Sequence, residues 1–288
     1  MSTSAPIEPV IAFQDVCIGF GDGEVLRGIS FEVSPRETKV LVGETGTGKT
    51  LALKLAAGLL RPDSGRVRVL GHDVSAMSEE ELLEFRREIG FVFQEGALFD
   101  SLSVAANVAY RLREEGVEEE EIRERVHEAL RFVEMEDAIE KFPAELSGGM
   151  RRRVSIARAL VSRPPIVLYD SPTAGLDPVT SQTIITLILR LRDSQGVTSL
   201  LATHRLQDAF ALANFRFDPR ANRVVPLSAN GRGPAAGLSR EAGPAAAEGA
   251  APIAVTTFLV LRDGDVYFEG DQRAILESKD PYLQRFLV

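Results

Sequence analysis

The chain has 288 residues, 44% of them apolar and 26% charged, with a net charge of −9. That length can bury a substantial core, as one large domain or a domain with a subdomain. The acidic balance excludes a generic polyanion binder, and a single Cys17 excludes an internal disulfide and suits a reducing compartment.

The opening MSTSAPIEP has no basic segment leading into an apolar one, so no secretory leader is expected. No segment approaches the roughly 20 apolar residues of a spanning helix; LALKLAAGLL and TIITLILRLR are short and interrupted by charge. Work on a membrane therefore calls for a partner that spans it.

Residues 11 to 42 read as short strands, IAFQDVCIGF, ISFEV and TKVLVG, with a turn at Gly21-Asp22-Gly23. A helix is predicted from Lys49 to Leu60, stopped by Pro62 and Gly65, followed by the strand RVRVL. Residues 104 to 142 are predicted helical, with Ile122, Val126, Ala129, Leu130 and Val133 on one face and the acidic run EEEEIRER as a solvated face. Then come a helix over about 149–161, the buried-type strand IVLYD, a helix over 180–194 and the strand TSLLAT. Strands alternating with helices predict an α/β fold around a mainly parallel sheet covered on both faces, with 104–162 as a helical insertion.

Farther on, FRFDPRANRVVPL reads as a small hairpin and FLVLRDGDVYFEG as a stronger one turning at Arg262-Asp263-Gly264-Asp265. Between them, 17 of the 25 residues from Ser228 to Pro252 are Ala, Gly or Pro. Such a segment buries too little surface to offset its ordering entropy, so a disordered loop is expected, bulging between two flanks that belong together.

GETGTGKT, Gly43 to Thr50, fits G-x-x-x-x-G-K-[ST] between an apolar strand and a helix. Gly43, Gly46 and Gly48 let the backbone curl through Glu44, Thr45 and Thr47 so that amides point at phosphate oxygens. The helix N-terminus adds partial positive charge. Lys49 supplies a point charge for the β and γ phosphates, and the Thr50 hydroxyl can coordinate Mg²⁺. A Gly-rich turn that happens to contain Lys is the bland alternative, and the flanking elements disfavour it. The pattern says nucleoside triphosphate without saying which machine.

LSGGMRRRVSIARAL, Leu146 to Leu160, opens a second helix at Ser147, Gly148 and Gly149, which makes a second anion site from free N–H groups. Two phosphate-binding helix starts in one chain make sense when they serve two copies. At this point the sequence resembles the ATP-binding cassette (ABC) family, in which LSGG is the signature motif, and the resemblance covers nearly the whole chain. It implies a P-loop NTPase with an N-terminal antiparallel β subdomain and an inserted helical subdomain, the core being 11–93 and 163–288 and the helical part 94–162.

The resemblance also assigns roles. Gln94 in FVFQEGALF matches the Q-loop, Asp170 the Walker B aspartate that holds Mg²⁺, Ala174 to Asp177 the D-loop, and His204 in LLATHRL the H-loop. Phe20 matches the aromatic that stacks on adenine. Taken singly, Gln94 is a polar residue after a strand, His204 a strand-end cap, and Phe20 as readily a core residue as a base platform. Arg151 to Arg153 taken alone suggest a nucleic-acid patch.

FQEGALFDSLSVAANVAYRLRE, GGMRRRVSIARAL and DPYLQRFLV look like the ATPases of Mce/Mla-type lipid transporters. The cassette resemblance implies a head-to-tail pair of copies with each ATP held between the cradle of one and the signature of the other. The Mce/Mla likeness implies an integral-membrane permease, a lipid-carrying Mce-type protein and a cytoplasmic place on the inner face of the membrane, while the acidic balance argues for no nucleic-acid partner. Ala97, Leu98 and Phe99 would be docking surface for the permease, or else local core.

In the family a Glu follows the Walker B Asp and polarises the attacking water; here it is Ser171. A hydroxyl is far too weak a base at neutral pH, and a general base contributes about 10²–10⁴-fold, roughly 3–5 kcal/mol of barrier. Tight ATP binding with slow hydrolysis is expected. The readings are a working ATPase whose water is oriented by His204, Gln94 or Glu95, a degenerate ATP-dependent clamp, and a substitution introduced to trap ATP. A soluble cassette of translation or DNA repair would carry two cassettes or a coiled-coil insertion, and a GTPase would carry [NT]KxD; neither is visible.

Overall fold

The structure is a computed structural model that describes residues 8–21, 23–227 and 255–285. The predicted loop at 228–252 lies outside them. β1 (Ile11–Phe20) and β2 (Gly23–Val33) pair antiparallel, Phe13 opposite Phe31 with their rings stacked 4.5 Å apart. After β3 (Thr38–Val42) and α1 (Lys49–Ala56), β4 (Ser64–Val69) and the short β5 (His72–Asp73) complete an antiparallel sheet in the order β2-β1-β4-β5.

α1 is shorter than predicted. It ends before Gly58, which adopts φ +63° where a Cβ would come within 2.5 Å of Leu82, so the chain turns there and not at Pro62. α2 (Glu79–Phe85) had no counterpart in the sequence reading, although Ser78 and Glu81 form a reciprocal capping box at its start.

β6 (Ile89–Val92) leads into a helical layer of α3 (Val104–Glu114), α4 (Glu119–Phe132) and α5 (Gly148–Leu160). Ile122, Val126, Ala129, Leu130 and Val133 are all buried, as their spacing predicts. β7 (Ile166–Asp170), α6 (Pro178–Gln195), β8 (Thr198–Thr203) and α7 (Leu206–Asn214) follow. Then come β9 (Phe215–Asp218), β10 (Arg223–Pro226), β11 (Thr256–Arg262), β12 (Asp265–Gly270), α8 (Gln272–Glu277) and α9 (Pro281–Arg285).

The central sheet runs β12-β11-β3-β8-β7-β6, parallel throughout except where β12 turns back on β11. β3, β7 and β8 are buried at every residue, which a parallel sheet covered on both faces requires. The two flanks of 228–252 do not share a sheet. Among the described residues β9 pairs only with β10, whereas β11 lies beside β3 with Phe258 opposite Val40. Apolar β11 demands cover on both faces, and only the central sheet offers it.

Period-two alternation sorts the strands between two cores. Val40, Val42, Val167, Tyr169 and Leu201 pack against the helical side. Leu41, Ile166, Leu168, Leu200 and Ala202 pack against α1, α2 and the antiparallel sheet. Asp170 continues the Ile166–Leu168 face, so it emerges on the α1 side.

Candidate nucleotide-binding site

β3 delivers the chain to Gly43 and α1 begins at Lys49. Gly48, the helix N-cap, sits at φ +93° with Leu26 where a Cβ would be, so both strain and space demand glycine. Lys49 is 8% exposed, and its Nζ donates to the carbonyls of Gly43 (2.8 Å) and Glu44 (2.6 Å) and to Thr47 Oγ1 (3.4 Å). Thr50 Oγ1 donates to Asp170 Oδ1 at 3.0 Å, which ties the first turn of α1 to the end of β7.

A cavity of about 400 Å³ opens over this loop, lined by Val25, Thr45, Gly46, Gly48, Lys49, Thr50 and Leu51 together with Gln94, Ser171 and His204. Residues from five separate stretches of sequence thus meet at one cleft, at the carboxyl ends of parallel strands where α/β folds place ligands. Ser171 follows Asp170 with φ +45°, a left-handed conformation held by its N–H to Ala202 O at 2.9 Å. Glu95 is exposed and is not part of the cleft wall. Phe20 ends β1 with 58% exposure, which overturns the core alternative, although it does not line the cleft.

Burial acts on the charges here. It lowers the Lys49 pKa, against the pull of Asp170 and Glu44. It raises that of Asp170, against the Thr50 hydrogen bond and the charges of Lys54, Lys49 and Arg152. Desolvation therefore outruns mutual attraction in both. The hard oxygens of Thr50, Gln94 and Asp170 suit Mg²⁺. Among the described residues no cluster of three His, Cys, Asp or Glu could hold a metal alone.

Ser147 caps α5, its Oγ accepting from Met150 N at 3.3 Å, with Ser147 and Gly148 exposed. None of Ser147, Gly148 and Gly149 lines the cleft of their own chain. The D-loop Asp177 caps α6 through the amides of Val179 and Thr180, both at 3.0 Å.

The three arginines after LSGG each donate to carbonyls of the fold. Arg151 donates to Leu146 O (2.7 Å), Arg152 to Phe93 O (2.6 Å) and Arg153 to Glu134 O (3.1 Å). The sequence reading also missed Arg205, which donates to Ser181 Oγ (2.9 Å) and Thr173 O (3.4 Å) beside His204. Buried Asp208, its pKa raised by burial against the Thr173 hydroxyl and the charges of Arg205 and His204, completes that cluster. A Thr–His–Arg sequence carries no local sign of such contacts.

Ala97 and Phe99 are exposed and Leu98 is half-buried against the helical core. Phe99 lies 4.7 Å from Tyr110 and beneath Arg158, beside a cavity of about 330 Å³ also lined by Ile89, Phe91 and Arg111. Fully buried Asn107 holds this loop, accepting from Phe99 N (2.8 Å) and donating to the carbonyls of Phe99, Leu102 and Ser103 (3.0–3.1 Å).

A glycine cradle opening a helix, a carboxylate on the neighbouring strand and a second serine–glycine helix start outside the cleft define a P-loop nucleotide-binding fold of cassette type. The family model described as ABC transporter matches residues 26–174, and the chain belongs to that family.

It is 38% identical over 224 residues to the methionine import ATP-binding protein MetN of Rhizobium johnstonii, covering 78% of this chain and 62% of that protein. It is 39% identical over 205 residues to the probable ribonucleotide transport ATP-binding protein mkl of Mycobacterium leprae, covering 71% and 59%. The chain thus spans less than two thirds of these curated relatives. Among solved structures, the dimeric ATP-binding cassette MJ0796 bound to ADP and Pi matches with a TM-score of 0.70 and 26% identity, covering 91% of this chain and 98% of that one. The cbiO1 protein of Clostridium perfringens, at 24% identity and a TM-score of 0.73 over 97% and 95%, shares the fold.

Proposed function

We propose that this chain is the nucleotide-binding subunit of an ABC transporter that binds Mg-ATP, hydrolyses it slowly and drives a membrane permease. The observation that carries the reading is the shared cleft of Lys49, Thr50, Gln94, Ser171 and His204, with Ser147–Gly149 outside it. A cleft whose signature lies elsewhere on the same chain is completed by a second copy, head to tail, and the dimeric MJ0796 cassette is the precedent. ATP then favours the closed pair by linkage, since it binds the closed state better than the open one.

In that closed site Lys49 and the loop amides hold the triphosphate, and Thr50, Gln94 and Asp170 would hold Mg²⁺, which supplies charge neutralisation at the phosphates. Phe20, exposed at the end of β1, is the platform for adenine. Ser171 can donate or accept a hydrogen bond to water but cannot take its proton at neutral pH. His204, on the cleft wall, orients the water instead. Without a carboxylate base, turnover falls by about 10²–10⁴-fold. A non-hydrolysing clamp is the second reading, favoured by Ser171.

The Phe99–Tyr110–Arg158 groove is the docking surface for the permease, and motion between the core and the 94–162 part carries closure to it. No helix among the described residues is long and apolar enough to cross a membrane, which suits a peripheral subunit at the cytoplasmic face. The cargo we assign is a phospholipid or related lipid, delivered with an Mce-type carrier. Its support is the likeness of the 93–114 and 148–160 stretches, against the methionine import and ribonucleotide transport named for relatives.

The test is sedimentation and phosphate release with Mg-ATP. Wild type should dimerise with ATP, and Ser147→Arg should bind ATP yet stay monomeric. A dilute monomer with full activity defeats the proposal. Pull-down of the membrane subunit, followed by lipid and amino-acid transport assays in vesicles, decides the cargo.

A further inference from the structure

α5 presents Ser147–Gly149 at its start, and two of its arginines, buried Arg152 and half-buried Arg158, reach loops beside the nucleotide cleft. Arg152 is 5% exposed and bridges two segments whose contacted carbonyls are 81 residues apart in sequence. Nη1 donates to Phe93 O at 2.6 Å, the carbonyl just before Gln94, and Nη2 to Ala174 O at 3.5 Å, in the loop after Ser171. Farther along the helix, Arg158 donates to Ala97 O at 2.8 Å and Gly96 O at 3.1 Å, and covers the Phe99 ring. At the start of α7, Arg205 reaches Thr173 O at 3.4 Å. Two guanidinium groups from different elements therefore hold consecutive carbonyls, Thr173 and Ala174.

A buried guanidinium is a poor device for stability alone. Its desolvation is costly, and a packed apolar side chain of similar volume does as well or better. Burial lowers the Arg152 pKa, opposed only by the charges of Asp170 and Glu95. The neighbouring arginines lack this reach: Arg151 caps Leu146 and Pro143 and Arg153 caps Val133 and Glu134, all within the helical layer.

We propose that Arg152 is a positioning residue that gears the Gln94 loop to the 171–177 loop, so that both move with α5 when Ser147–Gly149 closes on nucleotide. The inference rests on the ATPase reading above. In a site with Ser171 in place of a carboxylate, catalysis depends on how well Gln94 and the 171–177 backbone are placed, and Arg152 sets that placement for both at once. Arg158 extends the same grip to the Phe99 groove, so one helix joins signature, cleft and docking surface.

The test compares Arg152→Gln, Arg152→Lys and Arg153→Gln in the full chain, by steady-state ATP turnover and by hydrogen exchange of the Phe93–Gly96 and Ala174–Asp177 amides. Arg152→Met, which keeps the buried volume, replaces the Gln variant if that fails to fold. Loss of the bridge is expected to leave KM for ATP within about twofold and to lower kcat about tenfold or more, the mark of misplacement without lost ground-state binding. Exchange should rise in both loops together. Arg152→Lys should recover part of kcat, because one ammonium still reaches a carbonyl, and Arg153→Gln should change neither loop.

Wild-type kcat with unchanged exchange in the Gln or Met variant overturns the proposal. So does loosening of one loop alone, or an equal effect of Arg153→Gln. A wild-type chain without turnover defeats the ATPase reading instead, and the paired exchange readout then decides the gearing by itself.

Discussion

The Thr50 hydroxyl lies 3.0 Å from Asp170 Oδ1, joining the first turn of the cradle helix to the tip of β7. The bond exists because alternation along β7 turns Asp170 toward α1 and leaves Tyr169 on the helical side. Two oxygens suited to a hard cation are thereby held together by strands and helices, not by a flexible loop.

Asp170→Asn separates the cost of that carboxylate from its use. Burial raises the folded pKa above 3.8, so the wild-type carboxyl contributes stability that is full below 3.8 and lost as pH rises through the folded value. The Asn variant without nucleotide should therefore melt at a higher temperature than wild type at pH 7. The gap should close as the pH falls below 3.8. The gain in Tm from Mg-ATP should be much smaller in the variant. Thermal melts across pH, with and without Mg-ATP, check both; a variant that is less stable at neutral pH contradicts the sign.

Lys49→Met should keep the fold, because the ammonium is held at the cost of burial. It should weaken ATP binding by about 10–100-fold, the worth of one charge-assisted contact. Fluorescent-nucleotide titration measures it, and an unchanged Kd would place the triphosphate elsewhere.

At Ser171, a Glu should raise turnover by about two decades or more if the base is what the site lacks. The left-handed φ of +45° strains Ser and Glu alike, so the comparison is not confounded by backbone cost. Ser171→Gly relieves that strain and should stabilise the chain by roughly 1 kcal/mol without raising turnover. Phosphate release and denaturant melts give the two readouts. Equal turnover in the Glu and wild-type proteins would mean that another group already activates water.

Asn107→Ala removes four hydrogen bonds from the loop that holds Phe99 and leaves its backbone groups unpaired. A loss of about 2–4 kcal/mol is expected, together with weaker stimulation by the permease at unchanged ATP affinity. Full stimulation in the variant would detach Phe99 from docking.

Where local patterns carry the information, the sequence reads well. GETGTGKT names its strand, turn and helix together, because the glycines, the lysine and the flanking apolar run act within a few residues of one another. The amphipathic spacing of α4 did the same for the helical layer. The Ser78–Glu81 capping box was equally local, and marks α2 for any reading that looks for it. Arg151 to Arg153 look like one basic run on paper, yet each reaches a different carbonyl, and only chain paths far apart in sequence create those partners.

By itself, the order of residues determined that this chain folds as a triphosphate-binding α/β protein with two helix starts fit for anions. Those features depend on backbone geometry that a short run of side chains dictates. Tertiary structure alone decided that β11 slots beside β3, that Ser171 sits in a left-handed bend, and that Arg152 spans from Phe93 to Ala174. Each of these is settled by which distant surfaces must be buried together, and that competition has no local signature.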